Sequence, residues 1–381
     1  MVAKDWDAAM DRADADKAAD IKAERDLLKA ELAKLRRKVR VSGAQTNLIL
    51  EAVREVLTEN PVNIRIPSPP KTPKHKDVEH AVVHLTDTQI GKVTKTYDSA
   101  IAGARIRELG KKVATCIERH RSYARVDVLH LYLGGDLVEG ETIFDGQAHV
   151  IDSAVLEQAT RTAPSYIAEL IVGFLGVVDH VNVVGVPGNH GRSAHKGSNA
   201  HPLTNWDSVA MSTARLMIGE QKRVSWNLPD DWHAGNDVLG HKHLLIHGDN
   251  LYTSVFGGKA FKARLLMWRE SIPYDWRTMF FGHYHELCSG MIAGLRWQCG
   301  GSPESNNDFA LRVLSDQARP MQRLQFWNEE HGLVADRPIY LNYGLTAALD
   351  REFKHSATPG IREANAQANK RLAELRKRRK R

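Results

Sequence analysis

Short β-branched runs alternate with longer amphipathic stretches through the middle of this 381-residue chain, and each run ends in a short polar loop. Residues 81–86 (AVVHLT), 126–133 (VDVLHLYL), 181–186 (VNVVGV) and 243–247 (HLLIH) read as strands. The stretches near 98–122, 153–177, 204–219 and 256–270 read as helices. Strand–helix alternation of this kind predicts an α/β domain. Beyond His285 the segments turn short and strand-like, GLRWQC and QRLQFW among them, and no internal repeat of about 20–50 residues is visible.

The flanks are built differently. In residues 16–40, Ile21, Leu28, Leu32, Leu35 and Val39 follow one another at steps of seven, four, three and four, which draws one apolar seam along a helix. Such a seam serves either a short coiled coil between chains or a single helix lying on its own domain, and three heptads are few. A second helix is expected over 44–59, ending at Asn60-Pro61. Residues 60–76 hold five of the fourteen prolines, and proline fixes φ and removes amide donors, so this segment reads as an extended linker. The expected organisation is therefore a helical or coiled-coil extension over 1–59, a Pro-rich linker over 60–76, the main domain over 77–345, and a basic helix or solvated tail over 346–381.

Composition narrows the class. A hydrophobic share of 42% is that of a globular protein, and no run of eighteen apolar residues or charged-apolar-small leader is present, which predicts a cytoplasmic protein with no membrane partner. Cys116, Cys288 and Cys299 are scattered, giving neither a disulfide framework nor a CxxC zinc signature. The formal charge is +7, and the last eleven residues, RLAELRKRRKR, hold seven basic side chains and one Glu, a net of +6. Subtracting 6 from +7 leaves the other 370 residues near neutrality, so the basicity belongs to the tail.

The chemistry sits where the strands end. The polar loops carry Asp87 and Gln89, then Asp136, then Asn189, His190 and Arg192, then His247 and Asp249, then His283 and His285. Carboxyl ends of strands in α/β sheets line one crevice, so residues far apart in sequence can converge there. Gly134, Gly135, Gly188 and Gly282 directly precede these residues, as expected where backbone turns sharply against a charged centre. Each motif alone is weak, and their order and placement together carry the signal.

That order, with HLTDTQIGK, GGDLVEGE, GQAH, VPGNHGR and FFGHYH, resembles the calcineurin-like metallophosphoesterase superfamily over roughly 81–288, and within it a phage-type branch grouped with DNA-repair exonucleases. The resemblance implies a four-layer α/β/β/α sandwich and two divalent metal ions, with Mn2+ foremost and Fe or Zn2+ as alternatives. Asp136 would bridge both ions, Asp87 and His285 would complete the first site, and Asn189, His247 and His283 the second. Oxygen and imidazole donors suit such metals better than thiolate-binding ones. The pattern usually has histidine where this chain has Gln89, whose amide oxygen is a poorer ligand, so a weaker and exchangeable first site is expected.

The remaining roles follow from the same resemblance and neighbourhood. His190 would protonate the leaving oxygen. The Arg192 fork could hold a phosphate oxygen or form a surface ion pair. Gln147, His149 and His195 read as substrate-side or solvent-facing loop residues, Asp249 as a group orienting His247, and Glu139 and Glu141 as loop or helix-start charges. The expected function is a metal-dependent phosphodiesterase acting as an exonuclease-like DNA nuclease, in host cytoplasm if phage-encoded. The cationic tail would track the phosphate backbone, and the N-terminal helix would recruit a second copy or a protein partner. A phosphatase or small-molecule phosphodiesterase, and a non-catalytic nucleic-acid-binding assembly protein with a degenerate site, remain alternatives.

Overall fold

The computed structural model describes residues 47–59, 62, 64–71, 74–94, 96–144, 146–193, 204–251, 256–304 and 319–341. The apolar seam over 16–40 and the basic segment over 346–381 lie outside the described residues. Helix α1 covers 47–59. It is followed by β1 (Glu79–Leu85), α2 (Ser99–His120), β2 (Val128–Leu133) and α3 (Val155–Glu157), which continues through a π-turn at Gln158–Thr162 into α4 (Ala163–Leu175). Then come β3 (His180–Gly185), α5 (Trp206–Ile218), β4 (Val224–Asn227), β5 (His233–Val238), β6 (His241–Ile246) and α6 (Lys259–Ser271). The last strands are β7 (Thr278–Phe281), β8 (Ser289–Ile292), β9 (Leu295–Cys299), β10 (Met321–Asn328) and β11 (Gly332–Tyr340).

The strands form two mixed sheets, one of six in the order β11-β10-β1-β2-β3-β4 and one of five in the order β5-β6-β7-β9-β8. Strands β1 to β4 run parallel, as do β6, β7 and β9. Alternate side chains of a strand point to opposite faces, and these strands use both. From β1 and β2, Ala81, Val83, Leu85, Leu129 and Leu131 pack with Ile106, Val113, Phe174 and Ala210 of the helices. Their neighbours Val82 and Tyr132 turn the other way and meet Leu245 and Phe280 of the second sheet. On the far side of that sheet, Leu244, Met279 and Phe281 pack against Phe261, Leu265 and Trp268 of α6.

Two strands escape the sequence pattern. The short β4 alternates only between half-buried and exposed residues, and β5 (HAGNDV) is mostly polar. Both are edge strands, where burial on one face leaves too weak an apolar signature to read. The Pro-rich segment adds a second difference. It has no regular structure over 64–71 but lies along the domain, with Ile64 and Ile66 packed on the core and the Pro67 carbonyl accepting from Arg223 Nη1 at 2.7 Å. Among the described residues no helix is long and apolar enough to cross a membrane.

Candidate metal centre

Strands β1, β2 and β3 of the first sheet and β6 and β7 of the second deliver their C-terminal loops to one shared edge. The sequence alone suggests one crevice along one sheet; the structure makes it a seam between two. Among the described residues, five of the seven non-glycine residues with positive φ lie in these loops: Asp87, Gln89, Asp136, His283 and His285. Left-handed backbone is costly for such side chains, and its concentration here marks loops bent to aim polar groups at one point.

Asp136 is the centre of the cluster and is almost fully buried. One of its oxygens accepts from the His190 amide at 2.7 Å, and the other lies 3.0 Å from His247 Nε2. That same His247 nitrogen is 3.0 Å from Asn189 Oδ1, and the His283 ring stands 5.2 Å from the His247 ring at a steep angle. One ligand atom each from Asp136, His247 and His283 falls within 4.8 Å of the others. Gly188 makes the approach possible, because a Cβ there would sit 2.2 Å from both the Asp136 amide nitrogen and Oδ1.

Asp87 and His285 form the neighbouring half. Asp87 accepts from the His283 amide at 3.0 Å and from Thr86 Oγ1 at 2.7 Å, and His285 Nε2 lies 3.3 Å from its carboxylate. Gly282 is again compact where it must be, since a Cβ would meet Thr86 Oγ1 and Asp87 Oδ2 at 2.1 and 2.3 Å. Gln89 reaches this half with its amide nitrogen 3.5 Å from His285 Nε2 and 3.3 Å from His190 Nε2, while its oxygen accepts from Lys92 Nζ at 2.7 Å.

The electrostatics follow from buried carboxylates meeting the imidazoles of His190, His247, His283 and His285. Burial works to lower the pKa values of His190, His247 and His285. The Asp136 carboxylate nonetheless holds His190 up at about 9 and His247 at about 10, and Asp87 holds His285 at about 10. His283 goes the other way: burial and the neighbouring His247 charge push it down to about 4, so it stands neutral. Burial would also raise the carboxylates, yet His247 and His190 hold Asp136 well below the usual range, and the His285 bond with the Lys92 charge holds Glu304 at about 2. The Gln89 amide, with its oxygen turned to Lys92, can donate to His190 and His285 only when their Nε2 atoms are bare.

The structure sorts the remaining candidates, some along one of the readings the sequence allows and some against it. Arg192 is ion-paired with Asp249, and the His247 ring is oriented by its Nδ1 contact to the Gly134 carbonyl at 2.9 Å, not by Asp249. Gln147 is fully buried and donates to the Glu139 carbonyl at 2.8 Å, so it is no solvent-facing polar. His149 is exposed, and His195 lies outside the described residues. Glu139, read as a loop charge, is buried against His190, its Oε2 3.1 Å from Nδ1.

Two further residues were not singled out at all. Asp207 accepts from the amides of Leu137, Val138 and Gly188 at 3.0, 3.0 and 2.8 Å, tying two of the loops together. Its one sequence signal was a place beside Asn205, the N-cap of α5. Glu304 lies 3.1 Å from His285 Nδ1, in the loop that follows the strand-like GLRWQC segment, where nothing in the motif order marks it.

No family model matches this chain, and no curated protein does. Among solved structures it is similar to a hypothetical protein of Pyrococcus horikoshii, at 10% identity and a TM-score of 0.38 over 74% of this chain and 96% of that one. It is also similar to an archaeal phosphodiesterase (10%, TM-score 0.34, 68% and 99%) and to zinc-complexed Vps29 of Entamoeba histolytica (11%, TM-score 0.32, 69% and 99%).

Proposed function

We propose that this protein hydrolyses phosphate esters at a divalent-metal centre held by Asp136, Asn189, His247 and His283. The observation that carries the reading is a buried carboxylate met by imidazoles instead of lysine or arginine, with ligand atoms of Asp136, His247 and His283 within 4.8 Å of one another. Two imidazoles, a carboxylate and an amide oxygen make a donor set suited to Mn2+, Fe or Zn2+. An ion bound there would lower the pKa of a water and polarise a phosphoryl oxygen.

The chain's own residues supply the rest. His190 is held by Glu139 at Nδ1, which leaves Nε2 on the site side to hold a proton for the leaving oxygen. Asp207 keeps the Asp136 and Asn189 loops in register from beneath. The layering supports the same family reading: an apolar cluster between the sheets is flanked by two helix-facing ones, which favours the four-layer α/β/β/α arrangement.

For substrate we propose DNA, cut in an exonuclease-like reaction, on the strength of the seven basic side chains in the last eleven residues and the phage-repair wording of the motifs. Mn2+-dependent cleavage of an aryl phosphodiester by the full chain, absent in Asp136→Ala and His190→Ala, is expected. Cleavage that persists in Asp136→Ala or in chelator would end the reading. Nuclease assays with and without residues 363–381 then test the substrate, and activity on the aryl ester with none on DNA would redirect it to a small-molecule phosphodiester.

A further inference from the structure

The half of the centre around Asp87 already contains a cation. Lys92 Nζ lies 2.7 Å from Gln89 Oε1 and 2.7 Å from Glu304 Oε1, and its side chain is 15% exposed. Its backbone is anchored as well: the Lys92 amide donates to the Gln89 carbonyl at 3.1 Å, and Lys92 pairs with Ile151 in an isolated bridge. Glu304 carries the charge onward, its other oxygen 3.1 Å from His285 Nδ1, and His285 Nε2 faces Asp87 at 3.3 Å. Gln89, Lys92, Glu304, His285 and Asp87 thus form one continuous chain of polar contacts.

Two consequences follow for a divalent ion on this side. The only oxygen that Gln89 could offer accepts from an ammonium, so the amide presents its NH2 group, which repels cations, to the pocket side. A fixed positive charge on Glu304, which in turn holds His285, also opposes a second cation, and in a buried setting that repulsion is poorly screened. On the other side the group that meets both Asp136 and Asn189 Oδ1 at 3.0 Å is the His247 imidazole, which can itself ligate a metal, and not an ammonium.

We infer that Lys92 is the resident cation of the Asp87 half and that the centre binds one divalent ion per chain, on the Asp136, Asn189, His247 and His283 side. Lys92, with Glu304 as its counter-ion, takes the place that a second metal would need. This rests on the metal reading proposed above and departs from the two-ion expectation that the motif resemblance implies.

The test is metal stoichiometry, read without reference to activity. Full-length chain stripped with chelator is titrated with Mn2+ and followed by calorimetry and electron paramagnetic resonance. One ion per chain is expected, with the resolved hyperfine pattern of an isolated Mn2+. Lys92→Met, which keeps the bulk and removes the charge, combined with Gln89→His is expected to take up a second ion at least roughly 10- to 100-fold more tightly than the parent chain does. Lys92→Arg should keep a single ion, and retention of the first ion in each variant shows that the fold is intact. Two ions of similar affinity in the parent chain would overturn the inference, as would a neutral double variant that still binds one. No ion in the parent chain would instead remove the metal reading itself.

Discussion

His190 and Glu139 face each other across two loops, with imidazole Nδ1 3.1 Å from the Glu139 carboxylate oxygen and 3.1 Å from its main-chain oxygen. A ring held at one nitrogen presents the other in a fixed direction, and the carboxylate stabilises the charged form.

From that pairing, Glu139→Gln should leave His190 in place but bring its pKa down from about 9. The alkaline limb of the kcat profile should move toward neutrality with it. His190→Ala should cost roughly 100- to 10,000-fold in kcat, the usual range for removing a general acid. A profile unchanged by Glu139→Gln would mean that another group supplies the proton.

Gly188→Ala should be far more damaging than its size suggests. The added methyl would stand 2.2 Å from the Asp136 amide nitrogen and carboxylate, so either the loop or the carboxylate must shift. Loss of Mn2+ uptake by calorimetry is expected, with the far-ultraviolet circular dichroism unchanged. Wild-type uptake would show that the loop relaxes freely.

Asp207→Ala leaves three buried amides, of Leu137, Val138 and Gly188, without their acceptor. Stranding a buried donor costs about 1–3 kcal/mol. A clear fall in urea midpoint and weaker metal binding should appear together, because the same loops carry Asp136 and Asn189. A midpoint within error of the parent would show that water replaces the carboxylate.

Stability without metal should fall as the solution becomes alkaline. His190, His247 and His285 are raised from 6.5 to about 9, about 10 and about 10, so what they contribute is complete below about 6.5 and is lost as pH climbs through those folded values. Asp207, raised by burial and then by the Asp136 charge to about 6, acts in the same sense at lower pH. Melting of the chelated chain should therefore drop between about pH 6.5 and about pH 10, and Mn2+ should restore it most at the alkaline end, where a cation no longer competes with the His247 proton. A chelated chain whose melting temperature rises across that window would contradict the charge assignment.

Much of the framework was legible in the chain itself. The apolar runs that became β1, β2, β3 and β6 are buried on both faces, and their ends coincide with the loops bearing Asp87, Asp136, Asn189 and His247. The helices over 99–120 and 206–218 fell where one-sided apolar spacing put them. Edge strands β4 and β5 were not legible, because a strand that is half solvated needs no distinctive pattern.

Sequence by itself determined which residue types arrive at the strand ends and in what order, since backbone periodicity and glycine placement are local properties. Only the tertiary structure decided what those residues do to one another. It turned Glu139 from a loop charge into the partner of His190, gave Asp207 two loops to hold, and set Lys92 and Glu304 beside Gln89. The reason is physical: burial and Coulomb interaction act over a few ångström of space irrespective of chain separation, and Glu304 lies 212 residues from the lysine it pairs with, 304 minus 92.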